Sequence, residues 1–183
     1  MRVTFTRLAD HQWGDVLIER DDRVVYRMHA GPVTAHLPHD LVHLTVEDAL
    51  GMADGVWGAI AGGVVWGSMT HVSGRRPPHA AERSAALKKA HRDAVQYAEL
   101  LGGFAEAAAA RPDAELPRLA RDWFGGRPVD LAALGRAVAA VRAAQAEWAA
   151  VPVGGTLVRH WPAGRRVAPV AAPRHRERGR RTA

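Results

Sequence analysis

Hydrophobic and polar positions alternate with a period of two over the first thirty residues. Val3 and Phe5 share one face with Thr4 and Thr6 opposite, Val16-Leu17-Ile18 follows, and Val24-Val25-Tyr26 with Met28 completes the stretch. This β-branched and aromatic content predicts three strands, with Asp21-Asp22 as a tight turn between the second and third. A meander of that kind needs an apolar layer across one face. Gly31-Pro32 ends the alternation, and the period then lengthens. Pro38 suits the first turn of a helix, Leu41, Leu44, Thr45, Ala49 and Leu50 recur at helical spacing, and Gly51 is a natural stop. Asp54 is placed to cap a second short helix through Trp57 and Ile60.

From Gly55 to Val72 no residue carries a formal charge, which raises the question of a membrane span. Glycines at 55, 58, 62, 63 and 67 weaken any free-standing helix there, at about 1 kcal/mol each relative to Ala. The continuous apolar run also ends near Met69, short of the roughly 20 residues a span requires. A buried, glycine-rich core segment is expected instead. Ser73 to Pro78 is a loop by composition. A long helix is predicted from about Ala81, with Leu87, Ala90, Ala94, Ala98, Leu101 and Ala105 three or four apart and a bend or end at Gly102-Gly103. A short helix follows with Leu116, Leu119 and Trp123. Asp130 caps a last one carrying Leu131, Leu134, Val138, Val141, Gln145 and Trp148, which should pack antiparallel on the long helix. Thr156 to Trp161 is predicted as a strand returning to the N-terminal sheet.

These elements predict a single α+β domain over residues 1–162: a small antiparallel sheet of three N-terminal strands plus a C-terminal strand, packed on four or five helices. Residues 163–183 are expected to form a disordered Arg-rich tail. Charge reinforces that division. The chain of 183 residues has a net charge of +6. Seven arginines against the single acid Glu177 between Gly164 and Ala183 account for all of it, so the folded part is neutral. The high pI is therefore no argument for a nucleic-acid-binding fold, although the arginines between 165 and 181 remain a candidate phosphate-contacting arm.

The absence of cysteine excludes disulfides, thiolate metal sites and cysteine nucleophiles. Together with a first segment, Met1 to Arg7, that has no apolar core or cleavage site, it points to the cytoplasm. No phosphate-binding glycine loop, dinucleotide fingerprint or serine-hydrolase elbow is present. On the predicted long helix Arg83, Lys88, Lys89, His91 and Arg92 alternate with Glu82, Asp93 and Glu99, the pattern of a solvated face. Trp57, Trp123 and Trp148 fall on apolar stripes and are expected in the core.

One cluster carries chemistry. His39-Asp40-Leu41-Val42-His43 has the form H-D-x-x-H. Residues four apart lie on one helix face about 6 Å apart along the axis, so two imidazoles can close on one divalent ion. The ion expected for such donors is zinc, manganese or iron. Glu47 continues the same face and joins His39 and His43 as the expected metal set, as a ligand or as support for His43. His36, Asp54, His71 and His79 are candidates for a further ligand. Asp40 occupies the position of the general base in zinc peptidases, one methylene shorter, and is the candidate catalytic group, although whether the protein is an enzyme stays open. The main alternative is a non-enzymatic interaction or adaptor protein whose histidines only pack and hydrogen-bond. A third reading is a nucleic-acid accessory protein acting through the tail.

The segment Leu37-Pro38-His39-Asp40-Leu41-Val42-His43, with Val46-Glu47, Leu50-Gly51 and the closing Val153-Gly154-Gly155-Thr156 to Trp161-Pro162, resembles a family of small uncharacterised proteins from actinobacterial-type genomes. That resemblance covers about the first 162 positions and implies no particular activity. The H-D-x-x-H motif is also similar to that of ubiquinone-biosynthesis accessory proteins, whose further Glu would fall at Asp54 or Gly55 here.

Overall fold

The computed structural model describes residues 1–9, 14–30 and 37–170. The N-terminal alternation builds β1 (Arg2–Thr6), β2 (Gly14–Glu19) and β3 (Val25–Ala30), and the returning segment builds β5 (Thr156–His160). The α+β expectation holds. A further strand, β4 (Met69–Ser73), extends the sheet to the order β4-β3-β2-β1-β5, with every pair antiparallel. Val3 stands opposite Ile18 and Arg159, and Phe5 opposite Val16 and Leu157. That register puts Val3, Phe5, Val16, Ile18, Tyr26 and Met28 into the core. β4 escaped prediction because it is an edge strand. Only Met69 of its five residues is buried, so no two-residue alternation marks it.

Six helices lie among the described residues, one more than the upper expectation: α1 (His39–Leu50), α2 (Val56–Gly62), α3 (Ala80–Ala90), α4 (Arg92–Ala109), α5 (Leu116–Trp123) and α6 (Leu131–Ala150). α1 begins directly after Pro38 and ends at Gly51, whose φ of 69° closes the helix in the left-handed region. Asp130 caps α6 by accepting the Ala133 N–H at 2.9 Å. α6 packs on both α1 and α4, and α1 also packs on α4, so these three form the layer beside the sheet.

Three expectations need correction. The predicted long helix breaks at His91, where φ −108° and ψ 17° leave the helical region, while Gly102-Gly103 run through the interior of α4. Trp57 and Trp148 are core residues, but Trp123 is 38% exposed and only leans on Phe104, with ring centroids 6.1 Å apart. The boundary at residue 162 also falls short. Arg165 donates to the Asp48 carbonyl (2.9 Å) and carboxylate (2.5 Å), and Val167, 3% exposed, gives its N–H to the Gly58 carbonyl at 3.1 Å. The ordered domain thus reaches at least Val167, and the arginines from 174 to 181 lie outside the described residues. Among those residues no helix is long and apolar enough to cross a membrane.

Candidate metal centre

α1 is amphipathic, yet two of the residues it buries are polar. His43 is 2% exposed and Glu47 fully buried, alongside Leu41, Val42, Leu44 and Val46. His39, one turn before His43, stands at the start of the helix with 41% of its side chain exposed. The two rings meet edge to face, centroids 4.5 Å apart at 80°, and their Nε2 atoms are 3.1 Å from each other. The helical period therefore does what the motif required: both Nε2 atoms point at one place.

The third donor comes from α4. Glu99 Oε2 lies 3.0 Å from His43 Nε2 and 3.6 Å from His39 Nε2, and the three ligand atoms fall within 4.8 Å of one another. Metal bonds to His and carboxylate run from about 2.0 to 2.2 Å, which sets neighbouring donors about 3.0–3.4 Å apart around a tetrahedral or octahedral ion. The separations of 3.0 and 3.1 Å fall in that range, and the third, His39 to Glu99 at 3.6 Å, lies just beyond it. Half of the Glu99 side chain is exposed, so the triad opens to solvent on that side.

Close approach of α4 to α1 depends on a missing side chain. A Cβ on Gly102 would sit 2.7 Å from His43 Cε1 and 3.0 Å from Nδ1. Glycine in mid-helix is costly in propensity, and here it gives the buried imidazole its room. His43 Nδ1 faces this backbone without a hydrogen-bond partner among the described residues.

Electrostatics favour a cation at this point. Hydrogen bonds from His39 and His43 hold the Glu99 carboxyl well below the usual carboxylate range. The Glu99 contact raises His39 above its ordinary value against the opposing effect of burial, and the charges of Asp40, Glu99 and Glu106 all act in the same direction. Each of these carboxylates thus favours positive charge at His39.

The other expected site residues are placed as follows. Glu47 is not in the donor group. Its carboxylate turns to the start of α2, accepting Val56 N–H on Oε1 (2.8 Å) and Trp57 N–H on Oε2 (3.0 Å). It fills the space where Gly55 has no Cβ, since one there would lie 2.4 Å from Glu47 Cδ. Glu47 thus does for α2 what Asp54 was expected to do, and Asp54 itself is exposed and makes no cap bond. Burial pushes the Glu47 carboxyl up to about 7 in spite of these bonds. Asp40 stands beside the triad. Its backbone carbonyl accepts Trp57 Nε1–H at 3.0 Å, while Oδ2 is buried without a partner among the described residues, and burial raises its carboxyl above the ordinary value. His71 bonds the Gly74 carbonyl (2.9 Å), and His79 is exposed near Glu82 (3.7 Å), so neither joins the triad. His36 lies outside the described residues.

Sequence reasoning missed Glu99 because charges alternate along that face and marked it as solvated. The one signal available was Gly102-Gly103, three residues on, in an otherwise strong helical pattern. Glycines there announce a close neighbour. Comparison with family models, curated proteins and solved structures returns no match for this chain.

Proposed function

We propose that the protein binds one divalent transition metal, zinc, manganese or iron, through His39, His43 and Glu99, and uses it as a solvent-facing centre for metal-activated water chemistry. The observation that carries this reading is the entry of Glu99 from a second helix into the focus of the two imidazoles. Structural zinc sites close the ion with four protein donors, whereas hydrolytic sites use three and leave a position for water. A set of two His and one Glu, open on one side, has the second pattern. A bound ion supplies Lewis acidity and lowers the pKa of its water. Asp40 is the carboxylate next to that position, where it would hold or accept a proton, and Glu47 acts only by fixing α2 against α1.

Metal analysis of the purified, tag-free protein after reconstitution tests the site. One equivalent of metal is expected in the wild type, lost in the His39→Ala/His43→Ala double variant. Glu99→Gln changes an exposed residue and leaves the core alone. It should weaken binding by more than about 100-fold, beyond the roughly 10–100-fold effect of changing a mere supporting group. A reconstituted wild type without metal would retire the proposal.

A second reading has its own support. Glu99 already lies 3.0 Å from His43 Nε2 and 3.6 Å from His39 Nε2, so an ion pair alone would account for the cluster in a non-enzymatic interaction protein. In that case thermal stability is unaffected by chelator, and Glu99→Gln destabilises the protein equally with and without added metal.

A further inference from the structure

A separate cleft of about 240 Å³ opens where the β2–β3 hairpin, the end of α2, α3 and the closing segment meet. Its charged lining comprises Arg20, Asp21, Asp22, Arg83 and Arg166. Two of these charges cancel locally. Arg20, with only 8% of its side chain exposed, pairs with Asp22 through two hydrogen bonds and lies 5.6 Å from the Tyr26 ring centroid. Asp21 is 2.6 Å from the Met1 amino group. The Arg83 and Arg166 side chains are then left over, since neither makes a hydrogen bond or ion pair among the described residues.

Both free guanidiniums rise from anchored backbone. Arg83 precedes Ser84, which is 4% exposed and whose Oγ accepts the Val65 N–H at 2.9 Å. Arg166 sits between Arg165, clamped to Asp48, and the buried Val167. Tyr26 lines the same cleft at 2% exposure, and its hydroxyl has no hydrogen-bond partner among the described residues. A nearly buried arginine, the tyrosine that carries this hydroxyl and two exposed arginines without side-chain partners among the described residues therefore line one concavity, with Val65 and Leu87 as apolar wall.

We propose that this cleft binds the dianionic phosphate group of a small phosphate monoester. Guanidinium forks match phosphate oxygens in pairs, and a charge near −2 balances two free cations where a carboxylate would balance one. The volume is below the roughly 300 Å³ at which drug-sized pockets begin, so a phosphate with a short organic body is the fitting occupant.

The test is calorimetric titration of the full chain in a Glu99→Gln background, so that metal at the His39 cluster takes no part. The probes are inorganic phosphate, phenyl phosphate and benzoate at physiological salt. Saturable one-to-one binding of both phosphates is expected, with benzoate at least about 10-fold weaker. Arg83→Gln and Arg166→Gln should each raise Kd by about 10-fold and Tyr26→Phe by about 3- to 10-fold. Arg75→Gln/Arg76→Gln, on the exposed loop, should leave it unchanged. No saturation by about 10 mM phosphate would overturn the proposal. So would benzoate binding as tightly as phenyl phosphate, or equal losses in the Arg75/Arg76 control.

Discussion

Two adjacent glycines in α4 should respond in opposite directions to the same substitution. Gly102→Ala places a methyl 2.7 Å from His43 Cε1, where ordinary contact begins at 3.4 Å, so the ring must retreat by about 0.7 Å. His43 is 2% exposed and packed on the far side by the core, which leaves it no free direction. Overpacking of this kind costs about 1–3 kcal/mol, against about 1 kcal/mol gained in helix propensity, so a net loss of up to about 2 kcal/mol is expected. Gly103→Ala meets Trp123 Cζ3 at 3.3 Å, but that indole is 38% exposed and can swing outward. It should be neutral or more stable by up to about 1 kcal/mol. Metal binding should separate the pair further, because ligand distances tolerate only about 0.2 Å of error. Gly102→Ala is expected to lose at least about 10-fold in affinity and Gly103→Ala almost none. Chemical denaturation of the metal-free proteins and competition with a chromophoric chelator measure the two effects. Equal stability and equal affinity in the two variants would refute both the contact and the role of His43.

Other consequences can be checked alongside. Because the folded state holds Glu47 near 7 against an ordinary 4.5, its contribution is fully present below 4.5 and is lost as pH rises through 7. Wild type should therefore lose up to about 3 kcal/mol relative to Glu47→Gln between pH 4.5 and 8, measured by urea unfolding, and parallel profiles would contradict the burial of that carboxyl. Metal must displace the proton from His39, whose pKa lies above 6.5, so affinity should climb as pH rises through that value, and a flat profile from pH 5 to 8 would argue against His39 as a ligand. Truncation after Pro162 removes the buried Val167 and the Arg165–Asp48 bonds and should cost about 1–3 kcal/mol by thermal melting, and an unchanged melting temperature would contradict the docking of that segment.

Much of this protein follows from local pattern. The two-residue alternation of Val3, Phe5, Val16, Ile18, Tyr26 and Met28 specifies which side of the sheet is buried, and Pro38 and Gly51 bracket α1. Within α1 the 3.6-residue period alone stacks His39 under His43, so two of the three donors of the candidate centre are legible in a stretch of five residues. The same period put Glu47 on that face and suggested the wrong carboxylate. Chain spacing says which residues share a face. It does not say what the face will meet.

That second matter was settled by packing. Glu47 was claimed by the N–H groups of Val56 and Trp57, because the chain turns back at Gly51 and presents the open end of α2 to it. Glu99 was brought to the imidazoles by the approach of α4 to α1, which depends on the absent side chain at Gly102. Similarly, Arg83 and Arg166 share a cleft only because Val167 docks its segment against α2. Periodicity along one element is a property of the backbone and is written in sequence order. Which polar groups converge across elements depends on crossing distances of a few tenths of an ångström, and those exist only once the core has closed.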